Sequence, residues 1–227
     1  IQRANGLTTL SFLVFESLLL IFCMFVMWQA ESTVRLMAPG FSDEQVFACI
    51  PALLILMPFI FFISTSALLA GALQSIHHFF VPAFSPVLLN VVFIAALLIC
   101  TQRTLPVEYL CWAIVFAGFA QCVLHFIAYW RLGFGFEWWD AETLRYFMGV
   151  IGKFLLCFVS MSAMEVSLLI DQSFASYLAV GSVTLLKYAN RFMGIPLGVF
   201  AVAFSTILLP HFSRLKIENP QESFSKI

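Results

Sequence analysis

The chain has 227 residues, of which 62% are hydrophobic and only 10% charged, against roughly 45–50% and about 25% in ordinary soluble domains. With a mean hydropathy of +1.01 and 27 Phe, a water-soluble fold of this size is excluded, because it could not hide so much apolar surface. A net charge of −1 and a sequence pI near 6.5 exclude a nucleic-acid partner, since no basic excess is available to neutralise a phosphate backbone.

A hydrocarbon core about 30 Å thick takes about 20 apolar residues of helix, whose backbone groups satisfy one another in lipid. Six stretches meet that requirement. The chain opens Ile1-Gln2-Arg3, without Met or a signal-peptide pattern, and is expected to start inside a longer protein. The first span runs from Leu7 to Trp28, and its Glu16 is the exception among four otherwise nearly uncharged apolar stretches. Ala38-Pro39-Gly40 breaks the chain before the second span, Phe47 to Leu73, which carries Pro51, Pro58 and Gly71. His77-His78 point in different directions and have no Cys or carboxylate at ligand spacing, so no metal site is expected there. Val81-Pro82-Ala83 is read as the next break, and the third span, Phe84 to Cys100, contains Pro86 and Asn90. These prolines and Gly71 mark kinks or close helix contacts. After Leu105-Pro106 the fourth span runs from Tyr109 to Trp130, with Gln121 and His125 one turn apart as a hydrogen-bonded polar contact inside the bundle; Asn90 is read in the same way.

Gly133-Phe134-Gly135 ends this first group. The polar run that follows holds Glu137, Trp138, Trp139, Asp140, Glu142 and Arg145. Asp140 suits an N-cap and the paired Trp suit the headgroup layer, so a short interfacial helix is predicted over residues 138–147. The expected organisation is residues 1–133 as the four-helix part of an N-terminal lobe, 134–146 as a cytoplasmic interfacial linker, and 147–227 as two helices of a second lobe with a cytoplasmic tail. Those two spans run from Phe147 to Asp171 and from Val183 to Leu209. Basic residues favour the cytoplasmic side. With the N-terminus inside, Arg3, Arg131, Arg145, Arg214, Lys216 and Lys226 are cytoplasmic and only Arg35 and Arg103 are external, which places both chain ends in the cytoplasm.

The last two spans differ from the first four in their charges: Lys153, Glu165, Asp171, Lys187 and Arg191 fall inside or at the ends of apolar stretches. A charge at mid-bilayer costs at least about 2.5–3.5 kcal/mol, so such residues face a bundle interior or an aqueous cavity. Lys153 lies close enough to an end to snorkel. Arg191 is about eight residues, or roughly 12 Å, into its helix. Lys187 and Arg191 share one face, which Gly194 and Gly198 continue, so two cations stand beside two gaps. Such a face lines a ligand cavity or lets another helix approach closely, with the cations pairing to Glu165 and Asp171. Those acids are about 120° apart around their helix and the cations about 40° apart, so one direct pair at most is expected; Asp171 is assigned to Lys187, leaving Arg191 unpaired.

No enzyme is indicated, since G-x-S-x-G, H-E-x-x-H and paired-aspartate motifs are all missing from the sequence. The six cysteines form no C-x-x-C pair and nearly all lie in apolar runs, as small hydrophobes do, so no disulfide, metal or cofactor is expected.

Leu36-Met37-Ala38-Pro39-Gly40-Phe41, the run from Phe80 through Pro82-Ala83-Phe84-Ser85-Pro86 to Asn90, the run from Phe174 through Ser176-Tyr177 to Val183, Tyr188-Ala189-Asn190-Arg191-Phe192-Met193 and Ile207-Leu208-Leu209-Pro210 follow in an order that resembles the MurJ (MviN) family of lipid II flippases. The resemblance covers essentially the whole chain and matches the third to eighth of the family's spans. It implies an all-α, polytopic fold of the multidrug and polysaccharide exporter superfamily, with two lobes around a central cavity and alternating access. It also implies transport of lipid II from the inner to the outer leaflet of the cytoplasmic membrane for peptidoglycan synthesis, with membrane lipids as neighbours and room for a coupling ion. Of the family's cavity arginines, which are thought to hold the lipid pyrophosphate, only the one on the eighth helix carries over, onto Arg191; Lys187 joins it on the reading of the residues. Where the family commonly has Asp before that arginine, this chain has Asn190, which weakens any ion role for the position. Glu165, Asp171, Asn190, Gly194 and Gly198 are the expected lining or supporting residues. An exporter of another lipid-linked saccharide or of a drug would share the spans but lack the Pro-Ala-Phe-Ser-Pro and Tyr-Ala-Asn-Arg stretches; a non-transporting membrane scaffold would use the charges for assembly alone.

Overall fold

The computed structural model describes residues 2–194 and 196, and all regular structure among them is helical. The helices are α1 (Gln2–Trp28), α2 (Ala30–Met37), α3 (Asp43–Ser75), α4 (Phe80–Arg103), α5 (Val107–Arg131) and α6 (Ala141–Ala175), followed by α7 over residues 182–194. Five of these, α1, α3, α4, α5 and α6, are long and apolar enough to cross a membrane, and they contain the first five predicted spans. The chain is a multi-pass membrane protein. The sixth predicted span begins with α7; its remainder, Gly198 included, lies outside the described residues.

Apolar side chains cover these helices on nearly every side, as lipid requires. Leu18, Ile21 and Met24 on α1, Val91 and Leu98 on α4 and Phe116 on α5 are all exposed, an arrangement water would penalise and acyl chains accept. Small and medium side chains fill the inter-helix seams. α3 packs against both α1 and α5, and α4 packs against α5. Between α1 and α3 the seam holds Cys23, Val26 and Met57, flanked by Leu19, Leu53 and Ile60. Between α3 and α5 the close approach depends on Gly118, where a Cβ would stand 2.6 Å from the Phe59 ring. At Gly71, read from sequence as a kink or a close helix contact, nothing among the described residues lies within 4 Å of where a Cβ would be, so it is not a close contact. Gln121 donates to the Ser85 carbonyl at 2.7 Å, and His125 Nδ1 lies 2.9 Å from the Gln121 carbonyl, so the expected polar contact in the bundle joins α5 to α4. Asn90 differs from its expected role: it is exposed on α4.

The connections depart from expectation in three places. α2 is an unpredicted two-turn helix between the first two spans; it buries Ala30 and Val34 and turns Glu31 and Arg35 outward. Arg35 bridges Asp43 at 2.7 Å and Glu31 at 3.0 Å, and those carboxylates hold its guanidinium further into the charged form. Pro82 does not break the chain. It stands in the first turn of α4, where a missing N–H costs little, and the turn lies earlier, at His77, whose φ is 61°.

The third departure is the polar run after α5. Residues 134–140 have no regular structure, and residues 141–147 are the first two turns of the continuous α6, so the short interfacial helix predicted over 138–147 does not form. Asp140 is the N-cap, as expected, accepting from Thr143 N at 2.8 Å and Thr143 Oγ1 at 2.6 Å. The preceding segment is tied down by contacts remote in sequence. Asn5 Nδ2 donates to Glu137 Oε1 at 3.1 Å, Glu137 N donates to Thr9 Oγ1 at 3.1 Å, and Phe136 packs on Phe12, Phe126 and Tyr129.

α6 has 35 residues, about 52 Å at 1.5 Å per residue, so its ends project beyond a hydrocarbon core of about 30 Å. It meets the preceding helices chiefly near its ends. Phe147 and Phe154 pack on Phe15 near its start, and Ser176, just past its end, accepts from Gly40 N at 2.9 Å. Between these ends, residues 155–171 are exposed apart from half-exposed Ser162.

Candidate functional site

The polar residues singled out in the last two spans collect where α6 ends and α7 begins. Residues 176–181 form the turn between them, with Gly181 at φ +98°, a conformation open to glycine at little cost. Its carbonyl accepts from Leu185 N at 2.9 Å, within the first turns of α7. The reversal brings the end of α6 alongside α7 and leaves a groove of about 480 Å³ between them.

Glu165, Leu169 and Gln172 face the groove from α6, and Lys187, Asn190 and Arg191 face it from α7. The helical period accounts for the set. Glu165, Leu169 and Gln172 recur at spacings of four and three, and Lys187 and Arg191 at a spacing of four, so each group lies on one helix face. Asp171 is not among the lining residues: six positions beyond Glu165, it is about 120° further round the helix. No ion pair joins Lys187 or Arg191 to Glu165 or Asp171, although one direct pair at most was expected and Asp171 with Lys187 was its assignment. All four side chains are exposed. The groove therefore holds two cationic side chains, one carboxylate and two amides, with Leu168, Leu169 and Leu186 as its apolar floor.

Gly194 continues the cationic face, and nothing among the described residues lies within 4 Å of where its Cβ would be. Lys153 is exposed well away from the groove, one turn beyond Gly149 on α6. The sequence reading did not single out Leu168, Leu169 or Gln172. Their signal was present in the spacing from Glu165, but uncharged residues in an apolar helix give no reason to be selected. A second cavity of about 420 Å³ lies beside the Gly40–Ser176 contact, lined by Ser42 and Gln45 at the start of α3 and by Ala179 and Ser182 where the α6–α7 turn enters α7.

The arrangement offers a concave, partly apolar face with a guanidinium and an ammonium that make no ion pair among the described residues and could meet an anion. A guanidinium fork can take two oxygens of one phosphate, and an adjacent lysine adds a point charge.

A family model described as lipid II flippase MurJ matches residues 2–227. A "Probable lipid II flippase MurJ" of Helicobacter pylori is 31% identical over 237 residues, covering 96% of this chain and 51% of that protein. The "Lipid II flippase MurJ" of Burkholderia cenocepacia is 32% identical over 194 residues, covering 82% of this chain and 37% of that protein. A solved structure described as lipid II flippase MurJ in an inward closed conformation has a TM-score of 0.76 at 22% identity, over 93% of this chain and 44% of that one, a likeness of fold. The chain spans about half the length of the Helicobacter relative.

Proposed function

Because the chain belongs to the lipid II flippase MurJ family, we propose that it takes part in moving lipid II, a peptidoglycan precursor linked to undecaprenyl pyrophosphate, from the inner to the outer leaflet of the cytoplasmic membrane by alternating access. The family match across residues 2–227 carries this reading. In it, α1 and α3 to α5 belong to an N-terminal lobe, residues 134–146 form the cytoplasmic connection, and α6 and α7 open a second lobe. Both chain ends are cytoplasmic.

The groove supplies the chemistry. Lys187 and Arg191 bind the pyrophosphate, with Arg191 making the forked contact, while Asn190 and Glu165 present polar atoms to the sugar and peptide parts of the headgroup. Gly194 leaves room beside the cations. The polyprenyl tail stays in lipid against the exposed apolar faces of α6, so only the headgroup has to cross. The absence of an ion pair between Glu165 and Arg191 supports this reading, because a guanidinium already bridged to a carboxylate would have to break that bridge to take a phosphate.

The test is binding to the purified protein in nanodiscs of undecaprenyl pyrophosphate against undecaprenol, which lacks the anion. Charge-assisted hydrogen bonds are worth about 1.5–3 kcal/mol each, so Arg191→Ala is expected to weaken pyrophosphate binding by about tenfold to a hundredfold and to leave undecaprenol binding unchanged. Equal loss for both lipids, or no loss for either, would contradict a pyrophosphate-binding role.

A further inference from the structure

We propose that Glu16, together with the hydroxyls of Ser64 and Thr65, forms a buried site for a small monovalent cation, a proton or a sodium ion, in the middle of the α1–α3–α5 bundle. Glu16 lies near the centre of α1 and is 3% exposed. Among the described residues, neither of its carboxyl oxygens has a hydrogen-bond partner. The Ser64 and Thr65 hydroxyls of α3 are its polar neighbours, though neither completes a hydrogen bond of ordinary geometry to it. Thr65 is 1% exposed, and its own Oγ1 is also unpartnered. Ser66 beside it shows the usual alternative: its hydroxyl is occupied by the Phe62 carbonyl at 2.8 Å. Two neighbouring residues on two helices thus leave three buried oxygens without a hydrogen-bond partner among the described residues.

An ionised carboxylate without a partner is strongly unfavourable in a low-dielectric interior, and it answers that cost by taking up a proton or a cation. Among the described residues, no Lys or Arg forms an ion pair with Glu16. The titratable groups within its electrostatic reach are thiols, Cys23 two turns along α1 and Cys122 on α5. α3 presents the two hydroxyls, and α6 presents Phe147 and Phe154, which pack on the neighbouring Phe15. A carboxylate with two hydroxyls is a hard, all-oxygen donor set, suited to a proton or an alkali ion and not to softer metals. Binding draws α1 and α3 together, so occupancy favours the helix arrangement in which the carboxylate and the two hydroxyls converge. The site is on different helices from the cationic groove and does not rest on the proposed function.

The experiment is infrared spectroscopy of the purified protein in nanodiscs, titrated with pH in choline chloride and again in sodium chloride. Glu16→Gln serves as the reference, because it keeps the size and neutrality of the protonated acid. The expected result is a protonated-carboxyl band that is missing from Glu16→Gln and is lost as pH rises, one proton leaving per site. If sodium competes, the midpoint falls by about one pH unit for each tenfold rise in sodium once the ion saturates; if it does not move, the occupant is the proton alone, and either result supports the site. Thr65→Val, of nearly the same shape, is expected to displace the midpoint. A Glu16 band that stays constant wherever the protein remains folded, or no band lost in Glu16→Gln, would overturn the proposal.

Discussion

Asp140 shows how one side chain fixes where a span begins. Its carboxylate accepts from both the backbone and the hydroxyl of Thr143, satisfying a free N–H at the start of α6 and favouring the positive end of the helix dipole. Asp140→Ala is expected to lower stability by about 1 kcal/mol, read as a fall in the unfolding midpoint in detergent; an unchanged midpoint would mean the cap contributes nothing. This residue was legible in the sequence because a cap is local: an Asp stands between two polar tryptophan-bearing positions and a helix. That Glu165 and Asp171 cannot both face the cations was legible for the same reason, since it follows from 100° of rotation per residue, but which of them does was not: Asp171 was expected beside Lys187, and Glu165 is the acid that lines the groove. Glu16 was legible as a charge in an apolar span but not by its surroundings, because Ser64 and Thr65 come from α3, nearly fifty positions away.

Elements were legible where a hydropathic run is long and obscure where it is short. The five apolar helices emerge from their runs with ends a few residues longer than predicted, because polar residues such as Gln2 and Asp43 continue the helix beyond the apolar core. α2 was not visible, since eight mixed residues between two spans read as a loop. Over residues 138–147 composition pointed to an interfacial helix. The segment before Asp140 instead finds its hydrogen bonds on Asn5 and Thr9 of α1, a tertiary solution that no local pattern encodes. At the other end of α6, Gly40 meets the backbone of Ser176 so closely that a Cβ would overlap it. Gly40→Ala is therefore expected to push the α2–α3 turn from the α6–α7 turn. A cysteine pair at Gln45 and Ala179, which both line the adjacent cavity, should then cross-link less efficiently than with Gly40 intact. Undiminished cross-linking would mean that the glycine is not what sets the spacing.

On the scale of the whole molecule, the bundle of α1, α3, α4 and α5 is held by seams of its own, whereas α6 leans on it near its two ends and α7 stands beyond. The groove was legible as a cationic face but not as a shape, because its depth depends on how the turn at Gly181 sets α7 against α6. Trp138, 89% exposed at the start of this division, is expected to sit in the headgroup layer. With the other four tryptophans replaced by Phe, its fluorescence should be quenched more by headgroup-attached labels than by labels midway down the acyl chain; the opposite order would place this connection inside the hydrocarbon core. In the proposed function the cations of α7 act on the lipid headgroup during its crossing. The most direct measurement is outer-leaflet lipid II in cells that depend on this protein, with Arg191→Ala compared with Arg103→Ala, an exposed residue in the last turn of α4. Loss of outer-leaflet lipid II with Arg191→Ala at normal membrane insertion, and near-normal levels with Arg103→Ala, is the predicted result; normal levels with Arg191→Ala, or equal loss in both, would contradict it.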